Sequence, residues 1–288
     1  LSAGTKRDVL VQAFGERGFD YVGNSRDDLP VWRAARAGYV ANATPSLQQA
    51  ARRVTDVAGV LGEGLAQWRD WRQALRLHQW LKNLLLFVPL LAAHRYAELS
   101  LLADAGLAFL CFGLCASSVY LLNDLLDLRD DRQHLRKRRR PFAAGRVPVR
   151  SGLWAFPVLL AVSFGLALGR LPPAFTGTLA VYYGLTLAYS LLLKRLMVID
   201  VITLAALYTL RVVAGAMALS IALSFWLLAF SMFMFLSLAL VKRFAELYAA
   251  RAEGRVERAL GRAYFPSDLE MIASLGASAG YMAVMVLA

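Results

Sequence analysis

The chain has 288 residues, of which 58% are hydrophobic, and its formal net charge at pH 7 is +12. The apolar residues are gathered into long runs, which is typical of a polytopic membrane protein and excludes an ordinary soluble domain. Because Lys and Arg cluster between those runs, we exclude nucleic acid as a partner and expect anionic headgroups or phosphorylated substrates.

Residues 1–75 are polar and mixed in character, and they predict a partial α/β segment. A strand-like run at 19–22 is followed by a turn at 23–25 and then by helical spacing. The chain opens without an initiator Met and stops inside an apolar run. We therefore expect a fragment of a longer protein, with this first segment on the cytoplasmic side.

From residue 76 onward the sequence predicts an all-α transmembrane domain. Most of its apolar runs are long enough to cross a bilayer, and we predict seven spans, at 80–93, 99–122, 153–169, 173–193, 197–220, 223–241 and 269–288. The basic residues gather in the segment 123–152 and after the fourth and sixth runs. By the positive-inside rule those segments face the cytoplasm, which is expected for a protein of the inner membrane.

The most informative stretch is 123–131, where three carboxylates follow the second apolar run at helical spacing. At about 100° per residue, Asp124, Asp127 and Asp131 fall within roughly 60° of one another on one helix face. Like charges at this spacing repel unless a cation or a basic ligand neutralises them. Oxygen-only ligands suit a hard cation, so we predict a Mg²⁺ site; a solvated acidic helix end paired with the basic run that follows is the alternative.

Basic residues elsewhere could hold a phosphorylated substrate beside that metal. On the fifth apolar run Asp200 and Arg211 share a helical stripe, and an arginine as deep as Arg211 indicates function unless it forms an ion pair across the bundle. We expect Asp200 to orient the acceptor. The candidates to neutralise a diphosphate leaving group or to hold a second phosphate are Lys82, Arg138, Lys194, Arg211 and Lys242.

Over residues 75–288 the chain resembles the UbiA-type intramembrane prenyltransferase superfamily. Four residues match its NDxxDxxxD motif position for position: Asn123, Asp124, Asp127 and Asp131. The resemblance implies a helical bundle of about nine spans around a central cavity, seven of them present here. It also implies transfer from a diphosphate held by Mg²⁺, and it implies that Asn123 binds the substrate.

The family's second acidic motif, DxxxD, is absent, and residues 242–246 stand in its place. This departure and the runs at 79–83, 189–194 and 210–215 are similar to the decaprenyl-phosphate phosphoribosyltransferase branch. That branch implies transfer of 5-phosphoribose from phosphoribosyl pyrophosphate to a polyprenyl phosphate, a step toward cell-wall lipids. Two alternatives stay open: prenyl transfer from a prenyl diphosphate to an aromatic acceptor, and transport of an anionic solute.

The first segment resembles the end of a haloacid dehalogenase-like phosphatase domain. Lys6 stands at the position of that family's phosphate-binding lysine, and residues 23–30 resemble its last metal-binding loop. Asp28 matches one acidic ligand of that loop, whereas Asn24 replaces the other. The family's nucleophilic aspartate would precede Leu1, so the resemblance implies no phosphatase activity for this segment alone; the alternative is that 27–28 only cap a helix.

Overall fold

The computed structural model describes residues 3–61, 68–134, 137–254 and 264–287. The chain folds as two compact units. The first unit comprises Leu1–Ala74 and Asp124–Gly152, and the second comprises Leu75–Asn123 and Leu153–Ala288. A boundary near residue 75 thus recurs in the structure, while the segment after Asn123 belongs with the N-terminal residues. The division into domains of 1–75 and 76–288 stays a prediction.

The N-terminal part of the first unit is a small α/β arrangement around a parallel sheet. The three strands lie in the order β1-β2-β3, and the strand predicted at 19–22 is confirmed as β1. Trp32 and Val40 are completely buried against the sheet. The elements are α1 (Ala3–Phe14), β1 (Asp20–Gly23), α2 (Leu29–Ala34), β2 (Ala37–Ala41), α3 (Pro45–Arg52), β3 (Val57–Leu61) and α4 (Trp68–Ala74).

The second unit is helical; α6 begins in it and ends in the first unit, whereas α8 begins in the first unit and continues into the second. Its core packs Phe112, Phe175 and Tyr182 against small residues of α10 such as Ala214. Within this unit α10 contacts α9 and α11, and α11 packs along α12. The helices are α5 (Val88–Ala92), α6 (Leu99–Leu126), α7 (Leu128–Gln133, in the first unit), α8 (Val149–Arg170), α9 (Pro173–Leu191), α10 (Ile199–Leu219), α11 (Phe225–Ala252) and α12 (Leu269–Leu287).

Five helices of the described residues are long and apolar enough to cross a membrane, namely α6, α8, α10, α11 and α12 counted from Pro266. Together with the partial α/β segment, they confirm the predicted fold class. The prediction of seven spans exceeds this number by two. The run 173–193 does form one helix, α9, but its Thr, Tyr and Ser residues make it less hydrophobic than the other five.

The run 80–93 differs more strongly from the expected span. It forms a 3₁₀ segment, Leu77–Phe87, followed by the five-residue helix α5 with Pro89 near its start. This segment lies directly against α10, where a Cβ added to Gly215 would come within 2.1 Å of the Leu86 carbonyl oxygen. Close docking on a neighbouring helix, rather than hydropathy, therefore decides the structure of these residues.

Candidate functional site

The acidic motif and the basic run after it form one cluster in the first unit. Asp124 lies near the end of α6 and Asp131 lies in α7, and both side chains are buried. The Nη1 atom of Arg140 donates to Asp124 Oδ1 at 3.1 Å and to Asp131 Oδ2 at 2.7 Å. Two carboxylates seven residues apart therefore converge on one cationic side chain of the basic run, which is the pairing that the sequence offered as the alternative to a metal. The metal at this position stays a prediction.

One carboxylate oxygen of this cluster lacks a hydrogen bond. Asp131 Oδ1 is buried without a hydrogen-bond partner among the described residues, and Lys137 Nζ lies 3.9 Å from it. Burying an acceptor without a donor costs about 1–3 kcal/mol, so such an atom is expected to serve a ligand.

The third aspartate does not continue the same helix face. α6 ends at Leu126, Asp127 adopts φ −86° and ψ 7°, and α7 begins at Leu128. No group of three or more His, Cys, Asp or Glu side chains within the described residues is close enough to hold a metal ion. The expectation of one continuous stripe of three carboxylates is therefore wrong at Asp127, because the helix breaks there.

The donor set of the remaining pair still fits Mg²⁺. Carboxylate oxygens are the ligands that this hard cation prefers, and a buried oxygen without a donor is available at Asp131. The guanidinium nitrogen of Arg140 stands in for a cation between the two acids. Asp124 and Asp131, with Asp127 beside them in the chain, are accordingly the residues that would hold Mg²⁺.

The sequence analysis selected Arg138 from the basic run, but the structure places Arg140 at the acids. Arg138 is exposed, and residues 135 and 136 of the run lie outside the described residues.

The backbone around Arg140 is held in place by contacts on both sides. Arg146 donates to Asp70 Oδ1 at 2.7 Å and to the Arg139 carbonyl oxygen at 2.7 Å, and Phe142 is buried. The sequence signal for Arg140 was its position directly before Pro141, which indicates a turn.

Asn123 and Lys194 both belong to the second unit. The Asn123 side-chain amide donates to Ser190 Oγ at 2.9 Å, near the end of α9. Lys194 follows in the 3₁₀ turn Leu193–Arg195 and is half-buried. The motif asparagine therefore connects α6 to α9, and its role in binding the substrate stays a prediction.

Arg211 lies in a second buried cluster, within the second unit. Its guanidinium donates to Asn83 Oδ1 at 3.1 Å, to the Leu207 carbonyl oxygen at 2.6 Å and to Tyr182 Oη at 2.9 Å. The rings of Tyr182 and Tyr208 lie 4.9 and 5.3 Å from its central carbon. The alternative of an ion pair across the bundle is not what the described residues form, since none of the ion pairs among them includes Arg211.

Lys82 brings a second cation to the same cluster. Its Nζ atom lies 5.6 Å from the centre of the Tyr208 ring. The Nδ2 atom of Asn83 is buried and has no hydrogen-bond partner in the part of the chain that the structure describes. Two cations on one aromatic ring and an unused amide donor form an environment that suits an anion.

Asp200 has a different setting from the one expected of an acceptor-orienting base. Arg243 donates to its Oδ2 at 2.7 Å, and Tyr264 donates to its Oδ1 at 2.5 Å. Burial and the hydrogen bond to Asp200 raise the pKa of Tyr264 above its usual range. Arg243 also donates to Glu246, whereas Lys242, the predicted phosphate ligand, is exposed. Asp200 and Arg243 therefore form a buried ion pair, and the role of Asp200 in orienting the acceptor stays a prediction. The sequence offered no signal for Tyr264.

Asp28, in the N-terminal segment, accepts four hydrogen bonds. They come from the backbone of Asn24 and Ser25, from Ser25 Oγ and from Tyr21 Oη, and Lys6 Nζ lies 3.6 Å away. Burial raises the pKa of its carboxyl, but the hydrogen bonds and Lys6 outweigh burial and leave that pKa below its usual value. The proximity of Lys6 and Asp28 is compatible with the phosphatase resemblance, which stays a prediction.

Comparison with known proteins connects most of the chain after residue 83 to one family. Residues 84–260 match the model of the UbiA prenyltransferase family. The fold is similar to that of a UbiA homolog from Archaeoglobus fulgidus bound to DMAPP and Mg²⁺, with a TM-score of 0.60 at 19% identity over 75% of this chain and 76% of that one.

Two curated relatives extend the comparison. The uncharacterized protein y4nM of Sinorhizobium fredii is 38% identical over the whole chain, which spans only about half (55%) of that relative's length. A decaprenyl-phosphate phosphoribosyltransferase of Mycobacterium tuberculosis is 36% identical over 72% of this chain and 70% of its own length.

Proposed function

The chain belongs to the UbiA prenyltransferase family, and we propose that it is a Mg²⁺-dependent membrane transferase acting on phosphoribosyl pyrophosphate and a polyprenyl phosphate. The observation that carries this proposal is the convergence of Asp124 and Asp131 on one cation position. In the reaction, the bond between the anomeric carbon and the diphosphate breaks, a phosphate oxygen of the lipid forms the new bond, and diphosphate leaves.

Asp124 and Asp131, with Asp127, hold the cation in this proposal. When bound, Mg²⁺ neutralises the diphosphate and stabilises the negative charge that grows on it as the bond breaks. The protein cations supply the remaining charge. Those we assign to the phosphates of the substrates are Lys82, Arg138, Lys194, Arg211 and Lys242.

The choice of phosphoribosyl pyrophosphate rests on charge as well as on the relatives. Lys242 and Glu246 occupy the ends of the segment where family members carry their second pair of aspartates. One acidic cluster with additional cations suits a donor that carries both a diphosphate and a separate phosphate. The half-buried Lys82 and the buried Asn83 and Arg211 offer donors of the required kind.

Prenyl transfer to an aromatic acceptor is the second candidate. It is favoured by the fold similarity to a homolog bound to DMAPP and Mg²⁺. Membership in a transferase family gives no support to the alternative of an anion transporter. For either transfer we place the site at the cytoplasmic face of the inner membrane, because the basic segments mark that side.

A label-transfer experiment distinguishes the candidates. The detergent-purified protein is incubated with Mg²⁺ and polyprenyl phosphate plus labelled phosphoribosyl pyrophosphate, or with an aromatic acceptor plus labelled prenyl diphosphate. We expect label from the sugar donor alone to enter lipid, and a chelator to abolish its entry. Incorporation from the prenyl donor alone would establish the second candidate, and incorporation from neither would overturn both.

A further inference from the structure

We propose that Arg140 is an exchangeable internal counter-ion, which occupies the position between Asp124 and Asp131 until a divalent cation binds there and then turns to the diphosphate. The proposal rests on the proposed function, since it assigns a residue to the same acidic cluster. It adds a binding order, in which the metal precedes the diphosphate.

Arg140 occupies the position at which a divalent cation would contact both acids. A single guanidinium nitrogen serves both Asp124 and Asp131, and Asp131 Oδ1 keeps no hydrogen bond of its own within the described residues. Lys137 Nζ lies 3.9 Å from that oxygen, beyond hydrogen-bond distance, so the guanidinium nitrogen of Arg140 is the atom at the position that both acids share. A divalent cation at the same position would neutralise both carboxylates and would also use the remaining oxygen.

The Arg140 side chain reaches solvent from its position between the acids. The side chain of Arg140 is 29% exposed, whereas those of Asp124 and Asp131 are 3% and 2% exposed. The guanidinium can therefore leave toward solvent without disturbing a packed core. The acids themselves have no such freedom, so the exchange would involve the arginine side chain.

The backbone next to Arg140 is held in place by contacts on both sides. The carbonyl of Arg139 accepts from Arg146, which is itself paired with the buried Asp70, and Phe142 is buried on the other side. Gly145 has φ +73°, which closes the turn that returns the chain toward Arg146. A rigid main chain carrying a long mobile side chain is suited to moving one guanidinium by a few ångströms while the loop stays in place.

This arrangement predicts opposite effects on two ligands. An occupant that must leave first lowers the apparent affinity for the metal by the fraction of molecules in which the acids are free. Removing Arg140 should therefore tighten binding of the cation alone. The same removal should weaken binding of the metal-bound diphosphate, because one charge-assisted donor is lost.

The test compares Arg140→Gln with Arg139→Gln in the purified protein. Arg139 is exposed and lies next in the chain, so its substitution removes the same charge without touching the acids. Mn²⁺ binding is measured by electron paramagnetic resonance without diphosphate, and binding of inorganic pyrophosphate is measured calorimetrically in Mg²⁺. For R140Q we expect the Mn²⁺ dissociation constant to fall roughly tenfold and that of pyrophosphate to rise roughly tenfold, with R139Q close to wild type.

The possible outcomes separate this inference from the proposed function. If the wild type binds neither Mn²⁺ nor pyrophosphate, both are overturned. If the wild type binds both ligands but R140Q binds Mn²⁺ equally or more weakly, only the counter-ion role is overturned, because Arg140 then merely positions the acids. Unchanged pyrophosphate binding in R140Q would also overturn it. Should R140Q fail to fold, R140K must shift both constants in the same directions by a smaller factor, and unshifted constants would overturn the inference.

Discussion

The structure contains two aspartate–arginine clusters that look alike in sequence and differ in setting. In the second unit Arg243 and Asp200 are almost fully enclosed, with 2% and 0% of their side chains exposed, and both oxygens of Asp200 accept a hydrogen bond. In the first unit Arg140 is partly exposed, and one oxygen of Asp131 has no hydrogen-bond donor within the part of the chain that the structure describes. Arg243 Nε is also buried without a hydrogen bond among the described residues, so the exposure of Arg140 is what distinguishes the two clusters. We predict a structural role for the enclosed pair and ligand binding for the open one.

The difference follows from the cost of desolvation. Breaking a buried ion pair leaves an uncompensated charge in a medium of low dielectric constant, which costs about 3–5 kcal/mol. Arg140 is partly exposed, but Asp124 and Asp131 are buried, so its guanidinium can leave only when another cation takes its place. Exchange of partners is thus feasible for Arg140 and prohibitive for Arg243.

Removing a charge from the open cluster should have the largest effect on activity. Asp124→Asn or Asp131→Asn keeps the side-chain volume but removes a metal charge, and we expect transfer to fall by roughly two orders of magnitude or more. Label transfer and thermal unfolding in detergent would be measured together. Asp130→Asn, an exposed neighbour, is the control. Wild-type turnover in the Asp124 and Asp131 variants would remove the metal assignment.

Breaking the enclosed pair should instead affect folding. Arg243→Leu leaves Asp200 buried without its cation, so we expect the free energy of unfolding to drop by about 3–5 kcal/mol. The double variant Asp200→Asn with Arg243→Met should regain most of the loss. Lys242→Leu, at the exposed neighbouring position, should stay within about 0.5 kcal/mol of wild type. An R243L protein as stable as wild type would contradict the structural assignment.

Arg211 tests the comparison from a third position, since it is buried but is bonded to neutral groups. Arg211→Leu should weaken stabilisation by phosphoribosyl pyrophosphate about tenfold in apparent affinity, because a buried cation is lost. The free protein should lose about 1–3 kcal/mol, because Asn83 Oδ1 and the Leu207 carbonyl lose their donor. Thermal shifts with and without ligand in Mg²⁺ measure both quantities. Full ligand protection in R211L would leave Arg211 a purely structural role.

The smallest effect is expected for Tyr264, the second donor to Asp200. Tyr264→Phe removes its hydroxyl, which donates to Asp200 and accepts from the Val198 amide, while the ring stays in place. We expect a loss of about 1 to 2 kcal/mol in unfolding free energy, read from denaturant unfolding in detergent. Tyr281→Phe, at an exposed position on α12, should have almost no effect. Equal values for both variants would show that Asp200 does not depend on Tyr264.

Hydropathy and spacing predicted much of the fold and part of the site. The five strongest apolar runs became helices, and the spacing of Asp124 and Asp131 indicated their convergence. Arg140 could not be selected from three consecutive arginines, because only the folded turn before Pro141 distinguishes them. Tyr264 lies 64 residues from Asp200, and no local pattern connects two residues at that separation.

The docking of the 3₁₀ segment on α10 also has a consequence for how the protein is made. Leu86 and Gly215, whose backbones touch, are 129 residues apart in the sequence (215 − 86). At about 5–20 residues per second, the ribosome needs roughly 6–26 s to synthesise the chain between them. An irregular backbone cannot face lipid with its polar groups unsatisfied. We therefore expect Leu77–Phe87 to wait outside the bilayer core, or under the protection of the insertion machinery, until α10 has emerged.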